Sequence, residues 1–273
     1  MDRPGWRGAH QRRAQPGAQL SRPDGAPTPL PLLDRAPPRG APALVLGREP
    51  GFALHLERPG AAGSFAPPGQ GQLLVPLSGT VRVEEQSEAA TKVTQTDRRS
   101  RSAELTAGQL WRVANDASWR VSGEDAVLLR VATSVPREES RREDLLATAR
   151  RTLTMAPRRV FGNEVLRVEV AVGRSKLPGV GWVPWSHRTE GAEYAVILAG
   201  RWRARLQRGE QRWDEDLPAG TLLRIPPRVA HNVRARTTLR PSVGLILTSL
   251  RRSPEGAVRK EAVQGFSPFV DRG

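Results

Sequence analysis

Short apolar runs separated by glycine and proline are the feature that most restricts the fold of this chain. Before residue 137 they include ALVLG, GQLLVPLSGTVRVE, GQLWRVA and DAVLLRVATS, and after residue 157 the pattern continues with EVLRVEVAVG, EYAVILAGRWRARL, GTLLRIPP and VGLILTSL. Runs of this length with turn residues between them are typical of the strands of a β-sandwich or barrel. The sequence therefore predicts an all-β protein.

One stretch between the two strand-rich regions has helical spacing. In REESRREDLLATARRTLTMA, around 137–156, four apolar residues share one face of a helix and a proline follows. These residues are Leu145, Leu146, Ala149, Leu153 and Pro157. The predicted organisation is a first β domain over 43–136, a helical connector over 137–157, a second β domain over 158–252 and a C-terminal tail over 253–273.

The first 42 residues have a different composition from the rest. Proline recurs every few residues and no apolar periodicity is visible, so the segment lacks the apolar surface that offsets the entropy of ordering. We expect a disordered tail in which His10 is a solvated residue.

The two β domains resemble each other in sequence. ELTAGQLWRV (104–113) matches DLPAGTLLRI (216–225) at an offset of 112, whereas Gly60 and Gly79 match Gly181 and Gly200 at an offset of 121. The difference falls on the polar stretch EEQSEAATKVTQTDRRSRSAE of the first half, which is expected to enlarge the loop of a hairpin. The chain is therefore predicted to contain a duplicated domain.

Composition limits the function classes. The net charge of +15 suggests nucleic-acid binding, but all except three of the 43 basic residues are arginine, and they are scattered along the chain. General surface charge is the better interpretation. The absence of cysteine excludes disulfides and thiolate metal sites. No apolar run is long enough for a membrane span or signal peptide, so we expect a cytoplasmic protein.

The second half carries two groups of residues with regular spacing. In the stretch GWVPWSHRTEGAEYAVILAG, His187 lies six residues after Gly181, Glu193 six after His187, and Gly200 seven after Glu193. In GTLLRIPPRVAHNVRA, Pro226 lies six residues after Gly220, and His231 five after Pro226. This spacing resembles that of the two conserved motifs of the cupin superfamily, and the internal repeat extends the resemblance over most of 44–250.

The resemblance implies two tandem cupin double-stranded β-helix (jelly-roll) barrels joined by the helical connector. It also implies a divalent metal (Fe, Zn or Mn). Three positions depart from the motifs: Thr189 replaces a second histidine, Arg228 a glycine and Ala235 an asparagine. The metal ligands that remain on matching positions are His187, Glu193 and His231. Two imidazoles and one carboxylate can bind such a metal and leave positions open for water, substrate or dioxygen.

Further residues near these ligands are candidates for substrate binding. The hydroxyl of Thr189 can hydrogen-bond a metal-bound water, and Trp185 is placed to line the mouth of a pocket. Arg224 and Arg228, close in sequence to His231, are candidates for an anionic group of the substrate. Each has an ordinary structural alternative, namely packing for the tryptophan and solvent exposure for the arginines.

In the first half, none of the residues at the four ligand positions can form a metal site. The same spacing places Ala66, Pro68, Gln72 and Trp119 there. We therefore expect the first barrel to be metal-free and structural.

Two functions remain open at this point. The first is an enzyme of oxygenase, isomerase or lyase type that acts on a small molecule at the metal. The second is a non-catalytic ligand-binding or regulatory cupin, because the domain spacing also resembles the cupin domains of anti-sigma regulators. A small-molecule ligand is the expected partner, a homodimer is left open, and neither a membrane nor nucleic acid is expected.

Overall fold

A computed structural model of the chain describes residues 27–61, 63–66, 71–87, 101–113, 117–133, 141–151, 157–173, 187–188, 190–236, 241–250 and 261–262. Nearly all regular structure in these ranges is β-strand, which confirms the predicted all-β class. No helix within these ranges is long and apolar enough to cross a membrane.

The first half of the chain forms two antiparallel sheets. Its strands are β2 (Leu44–Glu49), β3 (Phe52–Glu57), β4 (Ser64–Ala66), β5 (Gly71–Ser78), β6 (Thr80–Ser87), β7 (Arg101–Thr106), β8 (Gln109–Val113), β9 (Ala117–Ser122), β10 (Val127–Thr133) and β11 (Arg141–Asp144). The six-stranded sheet has the order β11-β8-β5-β10-β3-β2 and the four-stranded sheet the order β4-β9-β6-β7. Leu74 and Trp111 of the larger sheet pack with Val83 and Trp119 of the smaller one, so the two sheets enclose a barrel core.

The second half repeats this arrangement. Its strands are β12 (Arg158–Gly162), β13 (Leu166–Gly173), β14 (His187–Arg188), β15 (Glu193–Ala199), β16 (Arg201–Arg208), β17 (Gln211–Pro218), β18 (Thr221–Ile225), β19 (Ala230–Ala235), β20 (Ser242–Ser249) and β21 (Glu261–Ala262). With β1 (Leu30–Pro31) they form a six-stranded sheet, β1-β18-β15-β20-β13-β12, and a five-stranded sheet, β17-β16-β19-β14-β21. A second interior core includes Ala195, Leu206 and Leu223.

Strand register supports the duplication residue by residue. Ala66 is opposite Trp119 in the first barrel as His187 is opposite His231 in the second. These pairs have the two offsets found in the sequence, 121 and 112. The offset changes between the strands of one hairpin, β6 and β7, which correspond to β16 and β17. The polar insertion of the first half falls there, as its sequence position predicts.

The two barrels exchange edge segments. β1 precedes the first barrel but pairs with β18 of the second, whereas β11 precedes the second barrel and pairs with β8 of the first. Each exchanged strand leads into a short helix, α1 (Leu32–Arg35) or α2 (Leu145–Arg151). The first amide of each helix donates to an equivalent glycine carbonyl, Leu32 to Gly220 at 2.7 Å and Leu145 to Gly108 at 3.1 Å.

This exchange corrects two predictions. Part of the segment before residue 43 is ordered, because Leu30 and Leu32 are buried against the second barrel, which the local proline-rich sequence does not reveal. The connector helix is also shorter than 137–156, because β11 is held extended by β8. Leu145 and Ala149 are buried on one face as predicted, and Leu153 lies outside the described residues.

A single apolar core joins the two six-stranded sheets. It contains Leu54 and Leu129 from the first half with Val168 and Leu245 from the second. Side chains alternate between the faces of a strand, so the residues between these positions face the two barrel interiors. The shared core therefore sets the orientation of both interiors.

A cluster of three polar side chains, Glu49, Tyr194 and Arg224, lies at the edge of this core. The Tyr194 hydroxyl donates a hydrogen bond to Glu49 Oε1 at 2.6 Å. Arg224 donates to the same carboxylate oxygen at 3.0 Å and to the Tyr194 oxygen at 3.1 Å. Tyr194 and Arg224 belong to the second half and Glu49 to the first, so these bonds fix the barrels relative to each other.

The exchanged N-terminal segment is expected to stabilise the fold. Leu32 has no exposed surface, so Leu32→Ala removes buried methyl groups and should lower the free energy of unfolding by about 2–5 kcal/mol. Its neighbour Leu33 is 41% exposed, and Leu33→Ala should change stability by about 0.5 kcal/mol. Chemical denaturation of both variants measures the difference. Equal effects would show that the segment is not packed in solution.

Tyr194 is the only tyrosine of the chain, so its titration directly tests the hydrogen bonds among Tyr194, Glu49 and Arg224. Burial, followed by the hydrogen bond to Glu49, raises the pKa of Tyr194 from 10.0 to about 12. The neutral phenol is thus favoured in the folded state, and this stabilisation, complete below pH 10, should be lost as the pH rises through about 12. Tyrosinate absorbance measures the midpoint.

In denaturant the same tyrosine should titrate at its ordinary pKa of 10.0. Glu49→Gln removes the negative charge beside the phenol and should lower the midpoint of the folded protein. A midpoint that is the same in the folded and denatured chain would contradict the interaction.

Candidate functional site

The interior of the second barrel brings Glu193 and His231 together. Glu193 begins β15, where it is opposite both Ile225 of β18 and Thr248 of β20. Its neighbour Tyr194 faces the shared core, so alternation directs Glu193 to the opposite face, into the barrel. His231 is the second residue of β19, in the other sheet of the same barrel. The two side chains therefore meet across the barrel interior.

Both side chains are buried and in direct contact. His231 Nε2 lies 3.1 Å from Glu193 Oε1, and the residues are only 1% and 2% exposed. His231 Nδ1 lies 3.1 Å from the carbonyl oxygen of Val229. Thr248 Oγ1 is 3.5 Å from the second carboxylate oxygen of Glu193. This geometry holds the imidazole and the carboxylate in fixed orientations.

The contact to Val229 decides what the imidazole can do. A carbonyl oxygen can only accept a hydrogen bond, so His231 Nδ1 carries a proton and donates a hydrogen bond to the Val229 carbonyl. In a neutral imidazole, Nε2 then has a lone pair that faces the Glu193 carboxylate. Both of these groups are hydrogen-bond acceptors, so their contact needs a cation that binds both. A proton on Nε2 meets this need and gives a buried ion pair, and so does a metal ion.

An imidazole and a carboxylate are groups that can both bind a metal ion. A histidine whose other nitrogen is bound to a backbone carbonyl has the orientation common to metal-ligating histidines. Two ligands that each lie about 2.1 Å from a metal are about 3.0 Å apart at the right angles of an octahedral site and about 3.4 Å apart in a tetrahedral one. The 3.1 Å between His231 Nε2 and Glu193 Oε1, a hydrogen-bond distance, lies within that range.

For the third predicted ligand, His187, the structure describes the backbone only. The backbone of His187 in β14 is opposite His231 in β19, on a neighbouring strand of the same barrel. The side chain of His187, and all of Trp185 and Thr189, lie outside what the structure describes. Among the described side chains, no three His, Cys, Asp or Glu residues form a cluster able to hold a metal ion.

The two arginines predicted to bind substrate have their side chains in other contacts. Arg224 directly precedes the inward-facing Ile225, so it points to the other face of β18, where it binds Glu49 and Tyr194. Sequence proximity to His231 suggested an inward position, and strand alternation gives the opposite one. For Arg224 the structure thus indicates an inter-barrel contact.

Arg228 occupies a turn on the surface. Its side chain is 77% exposed and lies 3.7 Å from the carboxylate of the exposed Glu190. Its φ of 64° is the only positive value at a non-glycine residue in the described ranges. The Val229 amide donates to Pro226 at 3.4 Å, so Arg228 is the third residue of a turn that favours glycine. The glycine conformation of the cupin motif is thus kept without the glycine.

Sequence reasoning missed two charged residues of the barrel interior, Arg167 and Glu169, which form an ion pair. Arg167 is directly opposite Thr248, which is itself opposite Glu193, so the three form a row across β13, β20 and β15. Its Nε and Nη2 atoms are buried and have no hydrogen-bond partner, although Nε is 3.2 Å from Glu169 Oε2. In EVLRVEVAVG charged residues alternate with apolar ones, a pattern that is equally compatible with a solvent-facing side of a sheet. Only the closed barrel makes that side interior.

Comparison with known proteins finds similar structures but no matching family model or curated sequence. No protein-family model matches the chain, and no curated protein matches its sequence. Among solved structures, a cupin 2 conserved barrel domain protein from Leptotrichia buccalis is similar with a TM-score of 0.62 and 9% identity, over 81% of this chain and 96% of that one.

Two further similar structures have lower scores. AerE from Microcystis aeruginosa has a TM-score of 0.49 and 15% identity, over 77% of this chain and 92% of that one. Oxalate decarboxylase from Bacillus subtilis has a TM-score of 0.47 and 11% identity, over 78% and 71% of the two chains. Together with the strand order of the two halves, the similarity to the Leptotrichia protein shows that this chain has the tandem-barrel fold of the cupin superfamily.

Proposed function

We propose that the second barrel binds a divalent metal ion through His187, Glu193 and His231 and acts there on a small molecule. The observation that carries the proposal is the 3.1 Å contact of His231 Nε2 with Glu193 Oε1. The other ring nitrogen, Nδ1, is hydrogen-bonded to the Val229 carbonyl. Two buried groups that both accept hydrogen bonds are arranged around a position for a cation. His187 is the third ligand because its backbone is opposite His231.

Arg167 supports an anionic substrate. Nε and Nη2 lie on the same edge of a guanidinium, and this edge binds a carboxylate through two parallel hydrogen bonds. In Arg167 both atoms are buried and make no hydrogen bond, and Nε is 3.2 Å from Glu169 Oε2 in an ion pair. A small carboxylate held there would extend along the row toward Thr248 and Glu193. We therefore propose Arg167, in place of Arg224 and Arg228, as the residue that orients the substrate.

The residues of the chain and the metal have separate tasks in this proposal. Arg167 binds and orients the carboxylate, Thr248 fixes the second oxygen of Glu193, and the buried walls exclude water. A metal with open positions would supply a Lewis acid for an oxygenase, isomerase or lyase type of reaction. The alternative is a non-catalytic ligand-binding or regulatory barrel in which a proton joins His231 and Glu193.

Metal content separates the two alternatives. Purified protein should contain close to one transition-metal ion per chain, and His231→Ala should lower that content at least about tenfold because a ligand is removed. His187→Ala should do the same. The matched control is His55→Ala, which changes a histidine of the first barrel and should leave the metal content unchanged. Elemental analysis measures all four proteins.

Two results would contradict the proposal. One is a metal-free wild-type protein that takes up no Fe, Zn or Mn on addition. The other is a His231→Ala variant that is folded, as judged by circular dichroism, and keeps its metal. Either result would favour the non-catalytic alternative.

A further inference from the structure

Six arginines lie on the outer face of the five-stranded sheet of the second barrel. In β16, β17 and β19 the residues that alternate with them, such as Trp202, Leu217 and Val233, belong to the barrel core or pack against it, so the arginines point away from the barrel. Along the sequence they are scattered, and only the pairing of the three strands brings them together. They form what we call the arginine face, which consists of Arg201, Arg203, Arg205, Arg212, Arg234 and Arg236.

The arginine face has more positive charge than its own carboxylates can neutralise. Two aspartates share the outer side of these strands. Asp214 forms ion pairs with Arg203 and Arg205, and Asp216 lies 2.8 Å from Arg236 Nη1. Six arginines and two aspartates leave a net formal charge of +4.

Strand register places arginines directly opposite each other on this face. Arg203 of β16 is opposite Arg234 of β19. Arg201 is opposite Arg236, whose amide donates a hydrogen bond to the Arg201 carbonyl at 2.7 Å. Neighbouring strands are about 4.8 Å apart, and like charges at opposite positions destabilise a sheet. Fold stability therefore does not favour this arrangement, whereas an anion bound across the two strands would offset the repulsion.

The first barrel shows that the fold does not require this charge. In its equivalent strands, β6, β7 and β9, residues such as Val83 and Val121 face the core. The charged side chains that the structure describes on the outer side of these strands are two arginines and two glutamates, so they sum to zero. They are Arg82, Arg120, Glu84 and Glu104. The net charge of +15 is thus not spread evenly over the two barrels.

The residue types on the arginine face indicate the kind of partner. A guanidinium can bind a phosphate through two parallel hydrogen bonds. Apart from Pro218, every outward side chain of β16, β17 and β19 that is at least partly exposed is polar or charged. Interfaces with proteins and with membranes contain apolar or aromatic anchors, and stacking on nucleic-acid bases needs aromatic rings. The composition of this face therefore favours contacts with phosphates alone.

We propose that the arginine face binds the phosphate backbone of a nucleic acid without reading its sequence. The charge excess attracts the polyanion, and the arginines donate hydrogen bonds to successive phosphates. The tails of the chain are not suitable occupants, because residues 1–26 contain five basic and two acidic residues and residues 251–273 contain five and three. This face is on the outside of the barrel, so its function is independent of the proposed metal site.

Fluorescence anisotropy of the full chain with a labelled duplex DNA of about 20 base pairs tests the proposal. The protein should bind at about 50 mM salt. If four phosphates are contacted, the affinity should fall about 100-fold between about 50 and 200 mM salt, because bound counterions are released from the DNA. A duplex of different sequence should bind equally well, since phosphate contacts carry no sequence information.

Paired substitutions assign the binding to this face. Arg201→Gln together with Arg234→Gln removes two exposed charges and should weaken binding at least about tenfold, with a salt dependence smaller by about two phosphates. The matched control is Arg82→Gln together with Arg120→Gln, which removes the same charge from the equivalent face of the first barrel. It should change the affinity less than about twofold. Arg201→Lys together with Arg234→Lys keeps the charge and should retain most of the binding.

Three results would overturn the proposal. One is the absence of DNA binding at about 50 mM salt. Another is an equal loss of affinity in both glutamine pairs, with both proteins folded by circular dichroism, which would show that general surface charge is responsible. The third is binding of polyglutamate in place of DNA, which would assign the face to an acidic protein. DNA binding that is unchanged in His231→Ala or in a metal-free protein would support the proposal whatever the fate of the metal site.

Discussion

The apolar core between the two six-stranded sheets is the interaction on which the rest of the structure depends. In the strands that this core joins, every second residue is packed in the core, for example Leu129 and Leu245. The residues between them must then face a barrel interior, and a slip of one position would exchange the two sets. Glu193 is inside the second barrel because Tyr194 is held in the shared core. The position of the site is therefore a consequence of packing between barrels.

The exchanged segments make the two halves one structure. A strand that precedes each barrel closes the sheet of the other, and Leu32 and Leu145 make equivalent hydrogen bonds to Gly220 and Gly108. The first barrel is thus complete only when the connector is present, and the second only when the N-terminal segment is present. The bonds among Tyr194, Glu49 and Arg224 add a polar link at the same interface.

The same frame encloses two different interiors. At equivalent positions the second barrel has Glu193 and His231 where the first has Gln72 and Trp119. The spacing of the glycines and histidines resembles the cupin motifs, and this resemblance implied the frame and the proximity of Glu193 and His231. The spacing could not predict Arg167, because a charged residue in an alternating strand is as compatible with solvent as with the inside of a barrel. Arg224 was assigned by proximity along the chain, which alternation overrides.

The sequence by itself determined the all-β class and the duplication, which depend on local periodicity and on fixed numbers of residues between turns. That His231 and Glu193 lie near each other was implied by the resemblance to the cupin motifs. Tertiary structure alone decided which charged residues are buried and that residues 30–35 are ordered. Leu30–Arg35 has no strong local preference and is ordered by burial against the second barrel. Arg167 and Arg130 are interior only because their sheets close, since the free energy of burying a side chain depends on residues far away along the chain.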